Sequence, residues 1–382
     1  PELLGSHNYT TAHYGKWHLG DEIFSQHGFQ EWRGIEDAYS KHYSDPSKKD
    51  EVSDYHKWLV SRGITPQNGH RFDRREAARL PEYLGKPAYL ANEACDFLKR
   101  NQDNPFILYV NFLEPHMPYF GPRDDQYDPE QIPLPDNFHH EPGEDVPLKL
   151  RVLRETYRLK GHSGYPLETE QDWRQMIARY WGLCSLVDTH VGRILDTLDQ
   201  LGLDENTIVV FTSDHGDMMG EHGIWEKTRF YEGSVRVPLI IRWPKKFPGG
   251  RVVDENVNLC DLFATLCDLA GLEVPDGLDS RSLVPLMYGD KEDWDNETVS
   301  QMNENHVMIK QDHLKYQYYG EDVPEVLFNL NRDPDELENV AENPEYREAM
   351  QRFRKRLAEL GHGAEACRDY QNAGYSPSPY FV

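Results

Sequence analysis

Residues 207–227, TIVVFTSDHGDMMGEHGIWEK, join an apolar run to an abrupt polar break. The β-branched and aromatic residues at 208–211 predict a strand buried on both faces. Asp214 and His215 follow directly, and in an open α/β sheet ligands bind just beyond the carboxyl ends of such strands. A carboxylate beside an imidazole suits a metal site or an acid/base site, with an ordinary polar exit from a strand as the alternative.

The composition is that of a globular protein, with 38% hydrophobic and 28% charged residues in 382. This length predicts one large domain and a smaller one. No run of eighteen apolar residues occurs, so no membrane span is expected. The net charge of −25 argues against binding to nucleic acid or to an anionic membrane surface. A local cluster of Lys, Arg and His in a cleft would still accept a small anion.

A second segment, residues 9–20, reads YTTAHYGKWHLG. Residues 9–14 predict a short strand, and Gly15 and Gly20 bracket the residues that follow. In an extended conformation Lys16 and His18 point to the same side, and a cation beside an imidazole suits an anionic group. A solvent-facing pair beside a buried Trp17 is the alternative.

A third segment, FILYVNFL at residues 106–113, predicts another strand buried on both faces. It runs into Glu114-Pro115-His116-Met117-Pro118, so His116 occupies the same kind of position as Asp214. A single histidine is more often structural than catalytic. Two strands that both end in polar clusters nevertheless indicate a shared site.

Helical patterns over residues 89–100 and 168–201 alternate with these strands and predict an α/β fold with a mostly parallel sheet. A further strand is expected over 235–241, at an edge or bulged at Pro238, which lacks an N–H. The pattern of predicted strands and helices changes beyond residue 290. Antiparallel strands over 308–319 and 325–329 and a helix over 345–360 predict a smaller α+β subdomain. We therefore divide the chain into domains 1–290 and 291–382, with a tail after Cys367 that is a strap or disordered.

The chain resembles the sulfatases of the alkaline phosphatase superfamily in five segments that keep the family's order. These segments are YTTAHYGKWHLG, FLEPHMPY, FTSDHGDMMGEHGIWEKTRFYEGSVRVPLIIRWP, CDLFATLCDLAGLEVPDGLDSRSLVPLM and LFNLNRDPDELENVAENP. The resemblance implies an alkaline-phosphatase-like α/β/α sandwich with a large, mostly parallel sheet and a smaller C-terminal α+β subdomain with an antiparallel sheet. It also implies hydrolysis of a sulfate ester, at oxygen or nitrogen.

The resemblance carries roles onto four residues of this chain. Lys16 and Lys227 would bind sulfate oxygens and offset developing charge. His18 would interact with the hydroxyls of the nucleophile. His116 would protonate the leaving-group oxygen or hold the sulfate.

The resemblance also implies a divalent cation, usually Ca²⁺, with Asp214 as a ligand and His215 as a second candidate ligand. Many sulfatases have Asn where this chain has His215, although Asp-His also occurs among them and in related phosphodiesterases. Imidazole is a poor ligand for Ca²⁺ and suits Mn²⁺ or Zn²⁺. The identity of the metal therefore depends on whether His215 coordinates it.

The family's nucleophile is a formylglycine made from Cys or Ser in the motif Cys/Ser-x-Pro-Ser/Ala-Arg, which these 382 residues do not contain. The family places this motif, and a pair of metal-binding aspartates, upstream of the segment at 9–20. We therefore expect a formylglycine nucleophile upstream of residue 1, and we expect residues 1–382 alone not to be competent.

The leading hypothesis is a sulfuric ester hydrolase that removes sulfate from a sulfated carbohydrate, because polar loops at 23–81 and 119–165 suit saccharide contact. One alternative is a phosphodiesterase or phosphonate monoester hydrolase of the same superfamily. Another is a non-catalytic sulfoglycan-binding protein that keeps Lys16, Lys227 and His116. The resemblance implies a periplasmic or secreted protein, or a lysosomal one in an animal. The oligomeric state is left open, a homo-oligomer included.

Overall fold

The structure is a computed structural model that describes residues 1–5, 7–303 and 305–363. The tail after Cys367, predicted to be a strap or disordered, lies outside the described residues. The described residues form two compact units, residues 1–133 with 160–207 and residues 134–159 with those from 208 onward. The domain division predicted at residue 290 stays a prediction.

Within the described residues, the strands are distributed over three sheets, one in the first unit and two in the second. They are β1 Thr10–Gly15, β2 Glu31–Gly34, β3 Phe106–Asn111, β4 Val209–Thr212, β5 Leu239–Arg242, β6 Glu297–Met302, β7 His306–Gln311, β8 Leu314–Tyr318 and β9 Val326–Asn329.

The helices range from single turns to one of 31 residues, α7. They are α1 Glu2–Gly5, α2 Asp54–Val60, α3 Arg74–Ala78, α4 Lys86–Arg100, α5 Leu148–Arg151, α6 Leu153–Lys160, α7 Glu170–Gln200, α8 Glu232–Val235, α9 Asp261–Leu269, α10 Val284–Tyr288 and α11 Arg347–Glu359. Short 3-10 turns occur at Ser40–His42, Pro46–Lys48, Glu82–Leu84, Pro129–Gln131, Asp204–Asn206, Glu221–Gly223 and Pro344–Tyr346. Among the described residues, no helix has both the length and the apolar character that a bilayer crossing requires.

The first unit contains a parallel sheet in the order β2-β1-β3. The strands predicted at 9–14 and 106–113 are confirmed as β1 and β3. Ala12 and Tyr14 of β1 are fully buried in one core with Leu90 and Phe97 of α4. The apolar face predicted for the 89–100 helix is therefore the face that covers the sheet.

The carboxyl ends of β1 and β3 are joined closely at Gly15. Its φ is +122°, and a Cβ at this position would lie 2.0 Å from the carbonyl oxygen of Asn111. Only glycine combines this backbone conformation with so close an approach. The turn that follows β1 is consequently fixed against the end of β3.

The helix predicted over 168–201 is confirmed as α7. It begins with a capping box in which Thr169 accepts a hydrogen bond from the backbone N–H of Asp172, while the Asp172 side chain accepts one from Thr169. Trp173 and Ile177 are buried near its start and Leu198 near its end. This spacing is that of an amphipathic helix.

The second unit contains an antiparallel ribbon, β4-β5, and an antiparallel sheet in the order β6-β7-β8-β9. Helix α11 packs on the sheet, with Phe353 stacked on Tyr316 of β8 at 5.4 Å between ring centroids. The antiparallel C-terminal strands and their helix are thus confirmed. The strand expected over 235–241 begins only at Leu239, directly after Pro238, which has no N–H to donate to a ladder.

The prediction that β3 and β4 are buried on both faces is wrong. In β4, Phe211 keeps 42% of its surface exposed, its register partner Ile240 keeps 59%, and Tyr109 of β3 is also exposed. An apolar run shows what a strand can bury, whereas actual burial depends on how many strands and helices surround it. Because β4 pairs with β5 in a two-stranded ribbon, much of its apolar surface stays uncovered.

Candidate active site

The segment that carries Lys16 and His18 turns sharply at the end of β1. The Lys16 N–H donates to the carbonyl oxygen of Asn111 at 3.0 Å, which ties the segment to β3. His18 is exposed and has a φ of +61°, in the left-handed region. The extended conformation expected here is therefore wrong at His18, because the chain must turn back to reach Glu22.

Glu22 holds this turn, and it was missed in the sequence analysis. Its carboxylate is buried and accepts the N–H of Trp17 at 2.8 Å and the N–H of His18 at 2.6 Å. Burial raises the pKa of Glu22. The two N–H donors favour the charged form and lower the pKa, but their effect is smaller than that of burial. Glu22 fixes the backbone between Lys16 and His18, so it is a positioning residue.

His116 follows β3, and its ring orientation is set by the backbone. Its Nδ1 lies 3.0 Å from the carbonyl oxygen of Met117, which can only accept, so Nδ1 carries the proton. Nε2 is then the nitrogen that can gain or lose a proton. Arg74 Nη1 lies 3.5 Å from the same Nδ1, and because both atoms carry hydrogens this is a contact rather than a hydrogen bond.

Two side chains connect His18 to His116 within the first unit. The ring of His18 lies 4.7 Å from the ring of Tyr39, and the Tyr39 hydroxyl accepts a hydrogen bond from Arg74 Nη2 at 2.8 Å. Arg74 in turn touches His116. The structure thus brings the two histidines into one side-chain network.

This network is anchored by Glu36, which is almost fully buried and binds both Arg74 and Lys86. Burial alone would raise the pKa of Glu36, but the charges of Lys86 and Arg74 hold it below its ordinary value. A carboxylate that two cations share stays ionised even when it is buried. Neither Glu36 nor Arg74 could be identified from local sequence, since they meet only through the tertiary fold.

In the second unit, Asp214 and His215 lie beyond β4, as predicted. The Asp214 side chain is 71% exposed, and its Oδ1 accepts the N–H of His215 at 3.1 Å. His215 Nδ1 lies 2.8 Å from the carbonyl oxygen of Gly216, so this nitrogen carries the proton. The lone pair is then on Nε2, 3.7 Å from Asp214 Oδ2, and this is a tautomer that metal-binding histidines use.

The chemistry of this pair fits a divalent cation. An exposed carboxylate oxygen suits Ca²⁺, while the Nε2 lone pair of His215 suits Mn²⁺ or Zn²⁺. No group of three or more His, Cys, Asp or Glu side chains with metal-binding geometry occurs within residues 1–5, 7–303 and 305–363. The described residues therefore offer at most part of a coordination sphere.

The loop that carries Lys227 is closed by side-chain and backbone hydrogen bonds. The Asp217 carboxylate accepts the N–H of Glu226 at 2.8 Å, and Lys227 Nζ lies 3.9 Å from the Glu226 carboxylate. Glu226 and Thr228 both have a φ of +74°, so the residues on either side of Lys227 are strained. Such strain persists only where the surrounding structure imposes it.

Asp214, His215 and Lys227 line one cavity of the second unit, with a volume of about 1510 Å³. The wall behind them is closely packed, because the Gly216 N–H donates to Ser234 at 2.8 Å and a Cβ on Gly216 would lie 2.1 Å from the carbonyl oxygen of Gly233. The six predicted residues thus form two groups, three in each unit. Lys16, His18 and His116 follow β1 and β3, whereas Asp214 and His215 follow β4 and share their cavity with Lys227.

Comparison with known proteins finds two family matches that together cover the described part of the chain. Residues 1–272 match the sulfatase family, and residues 220–363 match the C-terminal family of N-sulphoglucosamine sulphohydrolase. A choline-sulfatase of Rhizobium meliloti is 34% identical, over 88% of this chain and 65% of its own length. An arylsulfatase of Clostridium perfringens is 31% identical, over 74% of this chain and 59% of its own length. The chain therefore spans about three fifths of these relatives.

Among solved structures, a phosphonate monoester hydrolase of Agrobacterium radiobacter superposes with a TM-score of 0.72 and 26% identity, over 94% of this chain and 79% of that chain. This similarity confirms the predicted alkaline-phosphatase-like α/β fold. The family match extends over most of the chain and includes both groups of candidate residues. The chain belongs to the sulfatase family.

Proposed function

We propose that the protein is a sulfuric ester hydrolase that removes sulfate from a sulfated carbohydrate. One observation carries the proposal: a carboxylate, an imidazole and a lysine line a single cavity of the second unit. A metal-ligand pair next to a cation suits an ester that already bears negative charge and gains more as its bond breaks. Membership in the sulfatase family supports sulfate esters as the substrates.

The roles of the lysines follow from their charge. Lys227, whose side chain is only 23% exposed, would bind a sulfate oxygen and offset the charge that develops on it. Lys16 would make an equivalent contact from the turn that Glu22 fixes. An ammonium group held on a closed loop costs little reorganisation when the substrate arrives.

The contacts of the two histidines support the roles proposed for them. Because His116 is held through Nδ1, it would transfer a proton through Nε2 to the leaving-group oxygen. His18, whose ring lies against Tyr39, would hydrogen-bond to the hydroxyls of the nucleophile. A formylglycine upstream of residue 1 would supply that nucleophile.

A divalent cation, Ca²⁺ in this proposal, would be held by Asp214, with His215 as a second candidate ligand. When bound, such an ion polarises the sulfate and favours the ionised form of the nucleophile. A periplasmic or secreted location, lysosomal in an animal, is part of the same proposal. The division into a catalytic domain 1–290 and a C-terminal subdomain 291–382 is also retained as a proposal.

Hydrolysis of phosphate diesters or phosphonate monoesters is the second candidate function. It is favoured by the His215 tautomer, which places a nitrogen lone pair beside Asp214, and by the similarity to a phosphonate monoester hydrolase. This candidate would use Mn²⁺ or Zn²⁺ rather than Ca²⁺.

The two candidates are separated by turnover of matched aryl esters, measured on protein expressed from its complete coding sequence. We expect 4-nitrophenyl sulfate to be hydrolysed faster than bis(4-nitrophenyl) phosphate and 4-nitrophenyl phenylphosphonate. We expect Lys227→Met to lower kcat by about 10²–10³-fold. Lys246→Met, an exposed lysine over the ring of Trp243, is the control. Faster turnover of the phosphorus esters would move the assignment to the second candidate.

A further inference from the structure

Residues 214–227, which carry three of the candidate residues, fold back on themselves with His222 at the tip. The Gly220 N–H donates to the carbonyl oxygen of Ile224 at 2.8 Å, on either side of this tip. His222 has a φ of +52°, in the left-handed region, so its backbone conformation depends on the contacts that surround it. Because the returning chain leads directly into Lys227, the contacts of His222 also bear on the position of that lysine.

The ring of His222 is buried, and Asn137 binds both its backbone and its side chain. The ring is stacked on Tyr231 with 4.0 Å between the centroids. The His222 N–H donates to Asn137 Oδ1 at 3.4 Å, while Asn137 Nδ2 lies 3.3 Å from His222 Nε2 and also donates to the carbonyl oxygen of Asp335 at 3.2 Å. An amide nitrogen can only donate, so His222 Nε2 accepts and the proton of the ring is on Nδ1.

This proton is directed at a second imidazole. His222 Nδ1 lies 2.9 Å from Nδ1 of His140, which is half-buried. Since His222 donates, His140 Nδ1 accepts, and the proton of His140 is on Nε2. The His140 ring in turn hydrogen-bonds to the backbone of Leu337. The hydrogen bonds of the His140–His222 pair are therefore complete when both imidazoles are neutral.

An additional proton does not fit into this arrangement. On His140 Nδ1 it would face the N–H of His222, and on His222 Nε2 it would face the amide group of Asn137. Two donors that face each other make no hydrogen bond, so the surroundings favour the neutral rings. In agreement, burial lowers the pKa of His222 to about 3 and also lowers the pKa of His140. In water, either imidazole would take up a proton near pH 6.5.

Burial is the largest cause of both shifts, and the charged side chains nearby do not reverse it. The cations near the pair lower the pKa of the histidines, whereas the two aspartates near His140 raise it. These groups are Lys315 of β8, which is paired with Glu232 and Glu336, near His222, and Arg154 of α6, Asp145 and Asp333 near His140. Tyr231, which stacks on His222, is uncharged at these pH values.

We propose that His140 and His222 are positioning residues for the loop of residues 214–227, and that they hold this loop only while both imidazoles are neutral. Proton uptake separates the two rings and releases the tip of the loop from Asn137, which lines the same cavity as Asp214 and Lys227. This inference rests on the proposed function, because the loop presents the metal ligand and the lysine that this function uses. It adds a regulation of the same site by acid.

The first test is hydrogen exchange of the backbone amides of residues 218–226 between pH 7.5 and 5, corrected for the pH dependence of the chemical exchange rate. The protein is expressed from its complete coding sequence. We expect opening of the loop to become up to about tenfold more frequent per pH unit for each histidine that gains a proton. The rise should begin near pH 6.5, where an exposed imidazole titrates. Amides of α11 in the same unit should not follow this rise, which separates local opening from global unfolding.

His140→Gln is the decisive variant. The amide of Gln keeps one acceptor for His222 and one donor for Leu337, but it does not titrate. We therefore expect the rise in exchange to fall to that of a single histidine. The acid limit of kcat for 4-nitrophenyl sulfate should move to lower pH in the same variant. His313→Gln, in the turn between β7 and β8 of the same unit, is the control and should behave as the wild type.

Exchange of the loop that does not respond to pH in the wild type, or that responds equally in His140→Gln, would overturn the proposal. An acid limit of kcat that does not move in His140→Gln would contradict the positioning role. If His140→Gln fails to fold, the wild-type series still decides, because a rise in the loop without a rise in α11 is required. Failure of the protein to hydrolyse any sulfate ester would overturn the proposed function but would leave the exchange response measurable.

Discussion

The two groups of candidate residues are held in different ways. In the first unit, other side chains hold Lys16, His18 and His116: the buried Glu22 fixes the turn, and the half-buried Tyr39 and Arg74 join the histidines. In the second unit, Asp214 is exposed, and its shortest hydrogen bond is from the backbone N–H of His215. A rigid set of donors suits recognition of a sulfate of fixed geometry. An exposed carboxylate suits a cation that orders its own ligands when it binds.

The largest expected effect on activity is that of a substitution at Asp214, the exposed carboxylate of the second unit. Asp214→Asn removes the charge that would hold the cation, so we expect kcat for 4-nitrophenyl sulfate to fall by about 10³-fold, or about 4 kcal/mol. The unfolding free energy should change by less than about 0.5 kcal/mol, because the side chain is mostly in solvent. Asp293→Asn, another exposed carboxylate of the second unit, is the control for both measurements.

The substitution Lys86→Met in the first unit is expected to lower the stability of the fold, whereas Asp214→Asn lowers activity. The substitution leaves the buried carboxylate of Glu36 with Arg74 alone, so we expect a loss of about 3–5 kcal/mol in urea unfolding. Lys246→Met should change stability by less than about 0.5 kcal/mol. A Lys86→Met protein as stable as the wild type would show that the network does not hold the first group in place.

Glu22→Gln tests the turn itself. Trp17 and His18 donate to different oxygens of Glu22, and in Gln one of these oxygens is replaced by an NH₂ group that faces a backbone N–H. We expect a stability loss of about 1–3 kcal/mol and a lower kcat with KM little changed. Wild-type kcat in a destabilised variant would contradict the positioning role.

The first unit is also expected to be sensitive to acid. In the first unit, burial lowers the pKa of His13, His162 and His190 to about 4. In the second unit, burial lowers the pKa of His222 to about 3 and also lowers the pKa of His140, His306 and His362. Below pH 6.5 the unfolded chain binds protons at these sites that the folded chain does not. Stability therefore falls as the pH is lowered, by up to about 1.4 kcal/mol per pH unit for each histidine.

Unfolding free energies of His13→Gln measured between pH 7 and 4.5 check this expectation. Its slope against pH should be shallower than that of the wild type by up to about 1.4 kcal/mol per unit. The exposed His70→Gln should leave the slope unchanged. An unchanged slope in His13→Gln would show that His13 does not contribute to acid sensitivity.

The sequence predicts which residues are candidates for the site, but it predicts their burial and their side-chain partners less well. Asp214, His215 and His116 follow apolar runs, and a strand end is a local feature that can be located from such a run. The partnership of Glu36 with Lys86 joins residues 50 positions apart, so no local pattern reveals it. The burial expected for Phe211 fails for the same reason, because the number of neighbours around a strand is not encoded in the strand itself.

The central claim is that Asp214 holds a divalent cation. The most direct test is elemental analysis of protein from the complete coding sequence, comparing the wild type with Asp214→Asn and His215→Asn. We expect calcium in equimolar amount in the wild type, its loss from Asp214→Asn, and its retention in His215→Asn. Calcium that remains bound in Asp214→Asn would contradict the claim, and manganese or zinc lost from both variants would favour the phosphorus-ester candidate.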